Sequence, residues 1–164
     1  MLVAQISDIH ARPDLSSLRT LERAIAWLKT FRPDALVVTG DLVDDGWRQG
    51  YRLVAESLRS LDCPVHLLLD QVGCRNGSAL LSTLETMHRL PLAILCGHVH
   101  RPAIGRLGSI PVQTCGSLCL PNPLLLEGRA DLSVIDAPSF LVHEVSDGRL
   151  VSHVVSIPVS DRGA

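Results

Sequence analysis

Apolar positions follow two different patterns along the first 100 residues. Mostly apolar runs that are too short for helices predict four buried strands, at residues 2–7, 35–39, 64–69 and 92–96. Between them, apolar residues recur every three or four positions, which predicts three amphipathic helices, at residues 15–31, 47–61 and 78–89. Because a helix separates each strand from the next, we expect a parallel sheet whose crossover connections are helical.

The C-terminal third has a different pattern, without helical spacing. Four strand-like runs occur there, at residues 110–114, 132–135, 140–145 and 150–157. Asp147 and Gly148 lie between the last two runs and predict a tight hairpin turn. We therefore expect an α/β fold in which a parallel sheet with helices packs beside a smaller antiparallel sheet.

Length and composition fit one domain that spans residues 1–164. The chain is 46% apolar and 20% charged, so it can bury a core and is not a disordered segment. Its formal net charge is −2, so the chain lacks the excess of basic residues that binding to duplex nucleic acid requires. Binding of a small or local anion remains compatible with this charge.

The cysteines and the first seven residues of the chain indicate the cellular location of the protein. The five cysteines are an odd number without a Cys-x-x-Cys pair, so we interpret them as reduced thiols. The first seven residues lack the basic region of a signal peptide, and prolines interrupt the longest apolar stretches. We expect a soluble cytoplasmic protein that does not bind a membrane.

Candidate metal ligands follow three of the predicted strands. Asp8 and His10 follow the first strand and, if extended, point to the same side; Asp41 follows the second, and His98 and His100 follow the fourth. The carboxyl ends of parallel strands meet at one edge of a sheet, so these five side chains should converge. Carboxylate and imidazole together suit zinc, iron, manganese or cobalt. A polar strand end is the simpler interpretation of Asp8 and His10 alone, but the joint occurrence favours a metal site.

Three sequence blocks resemble the calcineurin-like metallophosphoesterase superfamily. They are Asp-x-His at residues 8–10, Gly-Asp-x-x-Asp at residues 40–44 and Gly-His-x-His at residues 97–100. The flanking residues 32–42 and 96–101 look like the bacterial branch of cyclic-nucleotide phosphodiesterases and glycerophosphodiesterases. The likeness extends over nearly the whole chain, and it implies the two-sheet sandwich of that superfamily.

The resemblance also implies a ligand set and a reaction. Asp8, His10, Asp41 and His100 would bind one divalent transition metal, and Asp41 would bridge to a second metal that also takes His98. Asp41 and His98 would thus be the catalytic residues. A metal-activated hydroxide would hydrolyse a small phosphodiester such as a 3′,5′-cyclic nucleotide or a glycerophosphodiester.

This sequence departs from the superfamily at its centre. It lacks the Gly-Asn-His block after the third strand and a later His-His-Pro-Pro-like block, as if a central stretch were missing. The second metal site would then be incomplete, unless Asp70 or Gln71 replaces a ligand. The alternative function is a catalytically impaired remnant that binds one metal and serves as a binding or assembly module. Lost covering elements would expose apolar surface and a strand edge, so we also expect a homodimer.

Other polar residues have simpler interpretations. Asp44 is expected to cap a helix, and Arg101 and Asn76 are expected at the surface rather than on a phosphate. Structural roles are expected for the remaining histidines and for the two cysteines nearest the site, namely His66, His88, His143, His153, Cys115 and Cys119.

Overall fold

In the part of the chain that the structure describes, the apolar runs and amphipathic segments form eight strands and three helices. A computed structural model describes residues 1–68, 76–119 and 137–158. In chain order the elements are β1 (Leu2–Ser7), α1 (Ser16–Phe31), β2 (Ala35–Thr39), α2 (Arg48–Arg59), β3 (Val65–Leu68), α3 (Gly77–Glu85), β4 (Ile94–Cys96), β5 (Ala103–Leu107), β6 (Ile110–Thr114), β7 (Ser139–Ser146) and β8 (Arg149–Ser156). The predicted run at residues 132–135 lies outside the described residues.

The strands form two sheets. The main sheet has the order β3-β2-β1-β7-β8, in which β1, β2 and β3 are parallel and β7 runs antiparallel to β1. The smaller sheet has the order β4-β6-β5, with β4 parallel and β5 antiparallel to β6. This mixed α/β arrangement of a main and a smaller sheet is the predicted fold class.

Two details of the predicted topology are wrong. β4 does not continue the parallel sheet but begins the second one, and β7 pairs with the edge of β1 that faces away from β2. The C-terminal strands β7 and β8 consequently extend the main sheet, and the smaller sheet is mixed rather than antiparallel. The hairpin between β7 and β8 is as predicted, with positive φ at Asp147 (48°) and Gly148 (73°), as a type I′ turn requires.

The core lies between the main sheet and the first two helices. The apolar face of α1 buries Leu21, Ala24 and Leu28 completely, and α2 adds Val54 and Leu58. Burial of this kind, rather than helix propensity, holds the helices in place. No helix in the described parts of the chain is long and apolar enough to cross a membrane.

A buried polar network joins the two sheets. The Nε2 group of Gln5 in β1 donates to the Thr39 hydroxyl at 3.1 Å and to the carbonyl of Cys96 in β4 at 3.0 Å. Its Oε1 lies 3.2 Å from Nε2 of His143 in β7, whose Nδ1 lies 2.8 Å from the hydroxyl of Ser152. Burial lowers the pKa of His143. This histidine therefore has the expected structural role: it is neutral and helps to hold β4 against the main sheet.

Candidate metal centre

Asp8 presents a buried and fixed carboxylate at the end of β1. Its side chain is fully buried, and Oδ2 accepts hydrogen bonds from the Ser7 hydroxyl at 2.6 Å and the His98 backbone N–H at 2.8 Å. The Asp41 N–H donates to Oδ1 at 3.3 Å. These three donors hold the carboxylate in one position. Oδ1 keeps a lone pair that faces two imidazole rings.

The two rings belong to His10 and His100. The Nε2 atoms of these residues lie 3.0 Å apart, and Asp8 Oδ1 lies 4.0 Å from that of His10 and 3.6 Å from that of His100. Ligand atoms bound tetrahedrally at about 2.1 Å from a metal are about 3.4 Å apart. One carboxylate oxygen and two imidazole nitrogens at these separations therefore fit one divalent transition metal.

His10 is oriented by Asp44. Oδ1 of this carboxylate is hydrogen-bonded to His10 Nδ1, and Oδ2 accepts a hydrogen bond from Arg12 Nε. Partial burial raises the pKa of Asp44, but the bonds from His10 and Arg12 outweigh it and hold this pKa below its usual value. A charged carboxylate on Nδ1 keeps the proton there and leaves the Nε2 lone pair free for a metal.

The role of Asp44 differs from the predicted helix cap. Helix α2 begins at Arg48 with Trp47 as its N-cap, and that cap has no side-chain hydrogen bond. Asn76, by contrast, caps α3, where its side chain accepts a hydrogen bond from the Ala79 N–H at 3.2 Å. His10 and Asp44 are 34 residues apart, so no local pattern could have paired them.

Backbone strain is concentrated at the centre. The residues Asp8, His10, His98 and His100 all have positive φ, between 45° and 71°. Non-glycine residues rarely adopt this conformation, and such strained residues cluster at functional sites. The spacing of Asp8 and His10 had suggested an extended backbone. Their positive φ values show that the backbone is not extended there, although their side chains still converge.

Two glycines allow the chain to approach Asp8 closely. A Cβ atom on Gly40, which has a φ of 70°, would lie 2.1 Å from Asp8 Oδ1. On Gly97 it would lie 1.9 Å from the Ser7 hydroxyl oxygen and 3.1 Å from Asp8 Oδ2. A side chain at Gly40 would displace the carboxylate, and one at Gly97 would displace the Ser7 hydroxyl that is hydrogen-bonded to it, so both motifs need glycine here.

The remaining predicted ligands, Asp41 and His98, adjoin the centre through their backbones. Among the described residues, the group with ligand atoms within 4.8 Å of one another consists of Asp8, His10 and His100. Asp41 is half-buried, and its carbonyl accepts a hydrogen bond from the His10 N–H at 3.1 Å. The His98 side chain is exposed. Asp70 and Gln71, considered as replacement ligands, lie outside the described residues.

The segment at residues 117–119 also supports the site, which the sequence analysis missed. The Ser117 hydroxyl donates to the carbonyl of Asp8 at 3.0 Å, and the N–H of Cys119 donates to the same carbonyl at 3.1 Å. Because β1 ends at Ser7, the Asp8 carbonyl has no strand partner, and this segment supplies its donors.

Part of the chain matches a known family. Residues 1–73 match the calcineurin-like phosphoesterase family (Metallophos). This range contains Asp8, His10 and Asp41 but not His98 or His100. No curated protein matches the chain.

Solved structures share the fold over nearly the whole chain. A dimetal phosphatase from Danio rerio aligns with a TM-score of 0.65 at 9% identity, covering 95% of this chain and 96% of that one. A Vps29 mutant from Entamoeba histolytica aligns at 0.52 and 16% identity, covering 96% and 100%. The protein TT1561 of Thermus thermophilus aligns at 0.53 and 12% identity, covering 93% and 97%. At these identities the likeness concerns the fold.

Proposed function

We propose that this chain, which has the metallophosphoesterase fold and matches the calcineurin-like phosphoesterase family over residues 1–73, is a metal-dependent phosphodiesterase. Its substrate would be a small phosphodiester such as a 3′,5′-cyclic nucleotide or a glycerophosphodiester, as the resemblance of residues 32–42 and 96–101 implies. The observation that carries the proposal is the convergence of Asp8, His10 and His100 on one point at the ends of two sheets.

Each residue of the centre has a part in this function. Asp8, His10 and His100 would hold the ion, and Asp44 keeps His10 in the tautomer that can bind it. A bound divalent ion would polarise the phosphoryl group and lower the pKa of water to about 7. The exposed side chain of His98 and the half-buried one of Asp41 lie beside the centre, where we propose that they contact substrate or a second ion.

Metal content and hydrolysis test this proposal together. We expect one tightly bound Mn²⁺, Fe²⁺, Co²⁺ or Zn²⁺ per chain by elemental analysis, and metal-dependent hydrolysis of bis(p-nitrophenyl) phosphate, whose leaving group needs no protonation. His100→Ala should remove both. His66→Ala is the matched control, since that histidine is exposed in β3. A chain that holds no metal under replete conditions would refute the proposal.

A second function is favoured by the small size of the ligand group. The described residues bring together ligands for one ion, whereas a two-metal site clamps both the attacking and the leaving oxygen. Loss of the second ion would weaken catalysis, and the chain could then serve as a single-metal binding or assembly module. One metal per chain without hydrolysis of the activated diester would favour this function over the first.

A further inference from the structure

An apolar cleft of about 830 Å³ opens beside the metal centre. It lies where the main sheet, the start of α3 and the smaller sheet meet, and its large apolar lining residues include Leu67, Leu80, Ile94, Leu95, Leu107 and Val112. Pockets of about 300–1,000 Å³ with mainly apolar walls are typical of small-molecule sites. The cleft is therefore large enough for an organic group of substrate size.

The cleft and the metal centre share residues. Gly40, Gly97 and His98 line the cleft, and the same three positions contact Asp8. The close approach of Gly40 to Asp8 Oδ1 and the bond from the His98 N–H to Oδ2 place the carboxylate directly behind this wall. The cleft and the metal centre therefore adjoin each other at Gly40, Gly97 and His98.

The walls of the cleft carry little charge. Among the described lining residues, the side chains that can carry a positive charge are His98 and Arg106, and none is a carboxylate. The Arg106 guanidinium donates to the carbonyl of Ser109 at 2.8 Å. Two of the apolar lining residues, Leu67 and Val99, are 50% and 49% exposed. Exposed apolar side chains gathered in one place mark a binding surface.

We propose that this cleft binds an uncharged apolar alcohol group of the phosphoester, while the phosphoryl group lies at Asp8, His10 and His100. The inference rests on the proposed phosphoesterase function and narrows its substrate class. It favours a diester with an aromatic or alkyl alcohol over one whose two alcohols are as polar as glycerol.

Alkylphosphonates from methyl to hexyl test the inference, because they bind without being hydrolysed. Titration calorimetry with the Mn²⁺-loaded protein should show affinity rising about threefold to fourfold for each methylene that enters the cleft. Equal affinities for methylphosphonate and hexylphosphonate would overturn the inference and leave the metal-dependent function intact.

Two neighbouring positions in β5 offer a matched pair of variants. Gly105 lines the cleft, and a Cβ atom there would meet nothing within 4 Å, so Gly105→Phe should fill the cleft without strain. Ile104 is 84% exposed, does not line the cleft and faces the opposite side of the strand. We expect Gly105→Phe to weaken hexylphosphonate binding at least about tenfold, with methylphosphonate binding unchanged, and Ile104→Phe to change neither.

A neutral probe separates the cleft from the metal. N-phenyl-1-naphthylamine should fluoresce on binding with or without Mn²⁺, and Gly105→Phe should reduce this signal. If the protein retains no Mn²⁺ but binds the probe in this way, the phosphoesterase proposal fails and the apolar cleft stands. If Gly105→Phe leaves probe binding unchanged, the inference about the cleft is wrong, whatever the metal content.

Discussion

The contact between Asp44 and His10 decides which nitrogen of the imidazole faces the metal centre. Asp44→Asn keeps the shape of the side chain but removes the charge that fixes the tautomer. We expect metal affinity to fall about 10- to 100-fold, the usual effect of losing a carboxylate that orients a ligating histidine. Titration with Mn²⁺ or Zn²⁺ measures this change. Asp45→Asn, at the exposed next residue, is the control, and equal affinities for the two variants would contradict the role of Asp44.

Two glycines with similar backbone angles allow the cost of backbone strain to be measured separately from the cost of a steric clash. Gly40 has a φ of 70° and Gly46 a φ of 65°, but only a Cβ on Gly40 would meet another atom within 4 Å. Gly46→Ala should therefore lower the free energy of unfolding by about 1–2 kcal/mol, the cost of the left-handed conformation. Gly40→Ala should lower it further and also displace Asp8.

Metal binding distinguishes these glycine variants more sharply than stability does. Denaturant unfolding gives the two free energies, and elemental analysis gives the metal content. We expect Gly46→Ala to retain the ion and Gly40→Ala to lose it. Full retention by Gly40→Ala would show that the Asp8 carboxylate can move and still bind.

At the scale of elements, the network around His143 makes the packing of the sheets sensitive to pH. The folded chain keeps this imidazole neutral because burial lowers its pKa, whereas the unfolded chain binds a proton near the ordinary value of about 6.5. Below that pH the unfolded state holds more protons, so the free energy of unfolding falls as the solution becomes acidic.

The His143→Gln variant isolates this effect. The wild type should lose up to about 1.4 kcal/mol per pH unit between its unfolded and folded pKa values, and the variant should lack this part of the slope. Unfolding by urea at several pH values between about 7 and 5 measures both slopes. His153→Gln on the exposed face of β8 is the control. Parallel curves for wild type and His143→Gln would show that the histidine is not held neutral.

The positions of strands were predictable where the strand's own sequence contains the apolar residues that it buries. The strands β1, β2 and β6 have the predicted bounds, because each is an apolar run ended by polar residues or glycine. β5 was missed, since four of its five residues are exposed and its sequence lacks a buried face. The pairing of β7 with β1 was also missed, because these strands are far apart in the chain.

The candidate site was predictable in part, because its motifs directly follow strands that the apolar runs predict. The motifs place Asp8, His10 and His100 at strand ends, and the structure brings their side chains together. The outward position of His98 and the pairing of Asp44 with His10 depend on loop backbone angles and on side-chain contacts between distant segments. Neither leaves a periodic signal in the sequence.

At the scale of the whole molecule, the outer edge of β8 is open for pairing among the described strands. β8 ends the main sheet, it is eight residues long, and Val151 and Val154 in it are 52% and 57% exposed. Long apolar edge strands tend to pair with another chain. We therefore still predict a homodimer, now through β8 of two copies related by twofold symmetry.

Light scattering over a dilution series tests this dimer. The wild type should shift from twice the monomer mass towards the monomer on dilution, and Val154→Lys should be monomeric at every concentration because charge on an edge opposes pairing. Val99→Lys, which changes an exposed valine in another part of the molecule, should leave the dimer intact. A wild type that stays monomeric would rule out the prediction.

The ligands of the metal centre come from both ends of a long stretch of chain. His10 and His100 are 90 residues apart in sequence and belong to loops after strands of different sheets. An ion bound by both would act as a reversible cross-link that closes this loop and restricts the unfolded chain. A covalent link over about 90 residues contributes about 4–5 kcal/mol on the chain-entropy argument, and an ion clip contributes up to that amount. The melting temperature should then rise with the concentration of free metal, so the ion would stabilise the folded chain in addition to any part it has in catalysis.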